Sequence, residues 1–262
     1  MQAYAPPHVF EDEVSLKLIA LDDDCGNPPD MSPFTKPFRA SILARARFIE
    51  DLVLEQVSCG VDQYVLLGAG LDSFAQRKPD LASQLRIFEL DQSEPQEWKR
   101  QRLLAAGFGI ADHLKLVPVD LDAGDNWLER LVVSNFYDKR PTVVTSTGVS
   151  MYLTKDAIIS TLRQIATFAP GSTFVMPFLC PVKMLESEIR IGVERAAEGA
   201  RASGTHWISF FKPDEIVTLA HEAGFDEVQY VSATALAGRY FAGRSDGLRP
   251  PNNSEELLVA TA

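Results

Sequence analysis

The stretch Tyr64-Val65-Leu66-Leu67-Gly68-Ala69-Gly70-Leu71-Asp72-Ser73 decides how this chain is read. Four consecutive apolar residues suit a short strand buried on both faces. The glycines that follow let the backbone turn sharply and approach a ligand with no Cβ in the way. A strand ending in such a turn is either a plain strand-to-helix connection or the first half of a nucleotide-type site. The flanking sequence has to decide between them.

Working outward, further strands are expected at residues 85–90, ending at Asp91, and at 114–119, closed by Asp120. Others follow at 142–146 and 173–179, with closing strands at 225–231 and 256–260. Helical periodicity fills the gaps. Residues 37–56 place Ile42, Leu43, Ala46, Ile49, Val53 and Leu54 on one broad face. A helix over 93–106 has Ser93 as its cap and Gly107 as its stop, and Thr154 caps a helix over 154–168. Pro213-Asp214-Glu215 opens another that ends before Gly224, and Asn27-Pro28-Pro29-Asp30 reads as a turn. Strands alternating with helices imply an α/β, doubly wound and mostly parallel sheet covered on both faces.

Composition narrows the function. At 262 residues the chain suits one large domain. A formal net charge of −11 argues against a nucleic-acid binder, which needs clustered Lys and Arg. Cys25, Cys59 and Cys180, like His8, His113, His206 and His221, are scattered, so neither a disulfide framework nor a metal site is expected. No apolar run is long enough to span a membrane and no basic start precedes one, so the expected location is cytoplasmic.

In a doubly wound sheet, ligands bind beyond the carboxyl ends of the strands, where the strand order reverses. Three successive strand ends carry suitable groups. Gly68, Ala69 and Gly70 follow the first. Asp91 closes the second, 21 residues after Gly70, and suits a ribose diol. Asp120 and Leu121 close the third, a carboxylate for an amino group and a side chain to pack on a purine. Each acid alone could be a solvated strand end; together they describe an adenosine pocket. A dinucleotide fingerprint needs a third glycine where this chain has Ser73, and Asp72 would repel a pyrophosphate. A cofactor with an ammonium and a sulfonium tolerates that acid, which favours S-adenosylmethionine over a nicotinamide.

These residues resemble the leucine carboxyl methyltransferase family, most closely its bacterial branch of O-methyltransferase homologues. The resemblance rests on Arg45-Ala-Arg-Phe-Ile-Glu50, Leu67-Gly-Ala-Gly-Leu-Asp-Ser73, Phe88-Glu-Leu-Asp-Gln92, Val119-Asp-Leu121 and Ser146-Thr-Gly-Val-Ser-Met-Tyr-Leu153. Ser209-Phe-Phe-Lys-Pro-Asp-Glu215 and Arg239-Tyr-Phe-Ala-Gly-Arg-Ser-Asp-Gly-Leu248 extend it towards the C-terminus. It implies a class I, Rossmann-like methyltransferase: a seven-stranded sheet with an antiparallel final strand. Residues 1–58 would form an N-terminal helical cap, 59–180 the cofactor-binding core, and 181–262 a substrate-side insertion with the closing strands.

The resemblance also assigns roles. Arg45 would pair with the cofactor's methionine carboxylate, and the loop from Gly68 would contact its amino-acid part. Asp91 would hold the ribose, and Asp120 with Leu121 the adenine. Thr147 stands where many relatives carry a Glu that reaches the cofactor's ammonium, so here a hydroxyl replaces a charge. Without the resemblance, Arg45 reads as a surface charge on an amphipathic helix.

The implied reaction is O-methylation of a carboxylate or hydroxyl on a small molecule. A carboxylate acceptor needs no general base; a phenol or alcohol would make His206 or Tyr152 candidates. The acceptor pocket is expected from the loop after the fourth strand, the insertion after the fifth, and the segment before the last. Tyr152, Tyr240 and Arg244 are the substrate-side candidates, the last two in a locally basic stretch with Arg239 and Arg249. The stripe Met184, Leu185, Ile189, Val193 and Ala196 in the insertion reads as core. Two other readings remain: a nicotinamide-dependent oxidoreductase, and a binding protein that keeps the fold without catalysis.

Overall fold

The computed structural model describes residues 8–20, 35–121, 126–202 and 204–262; the turn expected at residues 27–30 lies outside them. Two helices precede the sheet. α1 (Glu13–Ile19) is capped by Asp12, whose side chain accepts from the Ser15 N–H at 2.8 Å. α2 (Lys36–Ser58) carries Pro37 in its first turn, where its fixed φ is suited. The chain then runs β1 (Gln63–Leu67), α3 (Phe74–Arg77), α4 (Pro79–Ala82), β2 (Arg86–Asp91), α5 (Ser93–Ala105) and β3 (Leu114–Pro118). α6 (Trp127–Val133), β4 (Val143–Ser146), α7 (Lys155–Ile165), β5 (Thr173–Leu179) and α8 (Ser187–Ala202) follow. α9 (Pro213–Ala223), β6 (Glu227–Val231), α10 (Ala233–Tyr240) and β7 (Glu255–Thr261) close it.

The strands form one sheet in the order β3-β2-β1-β4-β5-β7-β6. The first five are parallel, and β7 is antiparallel to both β5 and β6. Strand order reverses at β1, between β2 and β4, so the open crevice lies beyond Leu67. All five residues of β1 are buried, because helices cover both faces. Period-two alternation sorts its side chains: Val65 and Leu67 pack with Leu131, Leu162 and Ile216 of α6, α7 and α9. Tyr64 and Leu66 pack on the other face with Leu43 and Ala44 of α2 and Leu236 of α10.

Cap chemistry sets several boundaries. Thr154 Oγ1 accepts from the Ala157 N–H at 3.2 Å to start α7. Gly224, at φ +112°, ends α9 in the left-handed conformation that suits glycine. Ser93 is the first residue of α5 rather than its cap, a place taken by Gln92. The buried face of α2 also differs from expectation. Ala40, Leu43, Ala44, Phe48 and Val53 are buried, whereas Leu54 is exposed and Ile42 faces a cavity described below. α1, α3, α4, α6 and α10 were not expected from the pattern; each has eight residues or fewer.

Candidate active site

The crevice at the reversal point begins with the turn after β1. The N–H groups of Gly68 and Ala69 both donate to the Leu90 carbonyl, at 2.8 and 3.1 Å, fixing the turn to the end of β2. Gly68 has φ +69°, and a Cβ there would meet Val149 Cγ2 at 2.2 Å. Only glycine lets the loop after β4 close over the loop after β1 in this way. Gly70, at φ +51°, then aims its N–H at Asp91, donating to Oδ2 at 2.6 Å. The other oxygen, Oδ1, accepts from the Gln92 N–H at 2.8 Å. The Asp91 carboxylate is thereby locked in orientation, with a lone pair left on each oxygen.

A cavity of about 540 Å³ opens at these strand ends, lined by Gly68, Asp91, Asp120, Leu121, Val149 and Tyr152 among others. Gln92 reaches across to donate to Asp120 Oδ2 at 3.3 Å. Residues 204–206 and Ile208 complete the far wall. Asp72 does not line this cavity. Its Oδ1 accepts from the Phe74 N–H at 2.9 Å, and burial raises its pKa against the opposing pull of Lys99. Beneath the loop lies a buried ion pair, Lys99 Nζ to Glu89 Oε2 at 2.5 Å, both side chains almost wholly enclosed. Burial pushes the Glu89 carboxyl up to about 7, with Lys99 acting to lower it. Ala69, Gly70 and Thr147 stand outside the cavity lining; Thr147 and Gly68 directly follow the paired residues Ser146 and Leu67.

A second cavity, of about 370 Å³, adjoins the first across Tyr152, which lines both. Its walls come from several places, the end of β5 with Leu179 and Cys180 among them. α2 contributes Phe38, Ser41, Ile42 and Arg45, a spacing that puts them on one helical face. The loop after β4 contributes Gly148 and Met151, and the segment around β7 contributes Ser254 and Glu255. Leu185 and Val193 are buried, as read from sequence, and with half-buried Ala196 they also line the cavity, together with Trp207 and Phe210. Gly192 of α8 lets Phe38 approach closely, so α8 roofs the cavity against α2. The Ile208 N–H donates to the Met151 carbonyl at 2.8 Å, and Ser209 Oγ donates to the Leu153 carbonyl at 2.6 Å. These bonds hold the Trp207 segment beside the loop after β4.

Arg45 lines the second cavity from α2. Its guanidinium is paired with Glu255 and lies over Gly148, whose φ of +74° and missing Cβ leave room for it. Both partners are largely buried. Cys180 also lines this cavity, but burial and nearby Glu256 push its thiol up to about 12, so it is no nucleophile at neutral pH.

Tyr240 and Arg244 line neither cavity. The Tyr240 hydroxyl donates to Asp51 Oδ2 of α2 at 2.8 Å, and Arg244 pairs with Asp246 at 2.6 Å. The cause is packing: Phe241 and Leu248 are buried beside Leu43 and Ala44, which pulls the segment onto the flank of α2. Arg239 and Arg244 answer the local acids Asp51 and Asp246. Phe38, Gln92, Val149, Trp207 and Glu255 are wall residues that sequence reasoning missed. The spacing Phe38, Ile42, Arg45 was a usable signal; Trp207 and Glu255 had none.

Five parallel strands, an antiparallel β7 inserted before the edge, and a cleft of this kind at the β1–β3 tips define the class I, Rossmann-like methyltransferase fold. The chain belongs to the leucine carboxyl methyltransferase family, matching it over residues 2–166. It is 30% identical over 207 residues to YktD of Bacillus subtilis, covering 79% of this chain and 67% of that one. YktD is named as a candidate S-adenosyl-L-methionine-dependent methyltransferase. The matched stretches span roughly half to two thirds of the first curated relatives, at 67%, 46% and 56% of their lengths. Among solved structures, a DUF574-family protein from Streptomyces avermitilis superposes with a TM-score of 0.60 at 16% identity, covering 87% of each chain. A candidate methyltransferase from Thermobifida fusca gives 0.55 at 18%, covering 84% of this chain and 82% of that one.

No group of His, Cys, Asp or Glu among the described residues is placed to hold a metal ion. No helix among them is long and apolar enough to cross a membrane.

Proposed function

We propose that this chain is an S-adenosylmethionine-dependent O-methyltransferase acting on a carboxylate or hydroxyl of a small molecule. One observation carries the reading: Gly68, Asp91, Asp120 and Leu121, from three successive strand ends, line one cleft that shares Tyr152 with a neighbouring apolar cavity. The donor set fits the cofactor. Asp91, held by two backbone N–H groups, presents its free lone pairs to a ribose diol. Asp120 faces the adenine amino group, and Leu121 packs on the ring. The guanidinium of Arg45, on the wall of the second cavity, takes the methionine carboxylate. The cofactor supplies a methyl group on a sulfonium, an already activated leaving group. The protein's own work is to align the acceptor oxygen and exclude water, so no nucleophilic side chain is required.

Tyr240 and Arg244 have no part in this site, and Tyr152, on the wall between donor and acceptor, remains. The residue roles, the small-molecule acceptor and a cytoplasmic location belong to this proposal. Calorimetry with S-adenosylhomocysteine and with NAD tests it. Binding of the first and not the second is expected; binding of NAD alone would point to an oxidoreductase instead. Binding without methyl transfer to any acceptor would favour a non-catalytic protein.

A further inference from the structure

Ser73 stands where a dinucleotide fingerprint would have its third glycine, and the proposed function makes no use of its hydroxyl. The side chain is buried, and its Oγ donates to Asp12 Oδ2 at 2.7 Å while accepting from Arg77 Nε at 3.0 Å. Asp12 comes from a distant part of the chain, as the cap of α1. Its Oδ1 accepts from the Ser15 N–H, and its Oδ2 also accepts from the Ser15 hydroxyl at 2.6 Å. That hydroxyl lies 3.1 Å from the Leu71 carbonyl, a second contact with the loop after β1. Packing supports the tie: Val14 and Leu18 of α1 are buried with Leu103 of α5, and Leu71 packs against them. Arg102 donates to the Leu18 carbonyl at 2.7 Å, and Arg77 pairs with Glu50 of α2 at 2.6 Å. Yet α1 lines neither the strand-tip cleft nor the second cavity. The part of the loop that does face the cleft is Gly68, and Gly70 orients Asp91. Glycines give such a turn wide backbone freedom, so one conformation persists only if both ends are held. β1 holds the first end, and Asp12 holds the second through Leu71 and Ser73.

We propose that Asp12 is a positioning residue for the cofactor site: it touches no ligand and acts through Ser73 and Leu71, keeping the glycine loop in its binding conformation. The inference rests on the methyltransferase reading and adds to it a residue far from the cleft in sequence. Its consequence is quantitative. A loop that is competent only part of the time raises the apparent dissociation constant by the inverse of that fraction. Coupling is also reciprocal, so a cofactor that binds better to the tied loop must strengthen the tie by the same factor.

The test is calorimetry with S-adenosylhomocysteine on Asp12→Ala, Ser73→Ala and the double variant, each with its fold checked by a melting curve. Either single change should weaken binding about three- to tenfold. The double variant should lose little more than Asp12→Ala alone, since both changes cut the same tie. Ser232→Ala is the control: it removes the side-chain cap of α10 and leaves α1 untouched, so it should lower the melting temperature and leave affinity unchanged. In the unaltered protein, saturating S-adenosylhomocysteine should slow amide hydrogen exchange at residues 15–19 by a factor comparable to the affinity lost in Asp12→Ala. This measurement needs no variant, so it decides the question even where a variant does not fold. Unchanged affinity in folded Asp12→Ala and Ser73→Ala overturns the proposal and leaves the tie a matter of stability alone. An equal loss in Ser232→Ala, or exchange in α1 that ignores the ligand, overturns it too. If the unaltered protein binds no S-adenosylhomocysteine, the methyltransferase reading falls and takes this proposal with it, a failure distinct from the others.

Discussion

Asp91 shows what single residues can and cannot declare. Its position 21 residues after Gly70 was legible, since a carboxylate at a strand end after a glycine turn is a pattern. That both its oxygens already accept backbone N–H bonds was not legible, because it depends on the turn's φ values. The geometry makes the residue rigid, so Asp91→Ala should weaken S-adenosylhomocysteine binding by roughly 1.5–3 kcal/mol, the worth of hydrogen bonds to a charged group. Calorimetry on folded variant reads this directly, and an unchanged affinity would reduce Asp91 to a tie for its own loop. Thr147 poses the complementary question. It follows Ser146, the partner of Leu67, and so stands next to the glycine turn. A hydroxyl there is a weaker partner for an ammonium than a carboxylate, since charged hydrogen bonds are roughly twice as strong. Thr147→Glu should tighten cofactor binding if the new charge pairs, and Thr147→Val should loosen it modestly. No change in either variant would remove Thr147 from the cofactor's surroundings.

At the scale of elements, strands and long helices were readable and short helices were not. The seven strands carry continuous apolar runs or sit beside strong turn signals, and Pro213 and Gly224 bracket α9. α1, α3, α4, α6 and α10 are too short for a 3.6-residue period to stand out, and tertiary packing decides them. α2 was found but misfaced, because it has two apolar faces. Leu43 and Ala44 enter the core, whereas Phe38 and Ile42 wall a cavity, and no periodicity tells core from pocket. The contact between the loops after β1 and β4 is a further element-level feature, and it hangs on one missing methyl group. Gly68→Ala forces a left-handed φ on alanine and a clash with Val149. Together these should lower stability by about 1–3 kcal/mol in urea unfolding. Gly68→Ala/Val149→Ala should recover the clash and leave the cost of the backbone conformation. A fully stable Gly68→Ala protein would mean that the two loops can part freely.

At the scale of the whole molecule, the site joins parts drawn from distant stretches of the chain. The cleft residues belong to β1–β3, Arg45 to α2, and the wall at 204–208 follows α8. A ligand spanning the two cavities must therefore tie the N-terminal helix and the later insertion to the central strands. Such a ligand stabilises only the folded state, because the unfolded chain does not assemble the site. At about 100 times its dissociation constant it adds roughly 2.7 kcal/mol. For a chain of this size that should raise the melting temperature by about 5–10 °C. S-adenosylhomocysteine is expected to do this and NAD is not. 5′-Methylthioadenosine, which keeps the adenosine and lacks the amino-acid end, separates the two halves of the argument. It should fill the strand-tip cleft yet leave Arg45 with Glu255 alone, so at equal concentration its shift should be the smaller. Arg45→Met should then erase most of the difference between the two ligands while leaving the shift from methylthioadenosine in place. Equal shifts from both ligands in the unaltered protein would mean that Arg45 makes no contact with the cofactor. The helical cap would then hold its place through its own packing on β1 and β4.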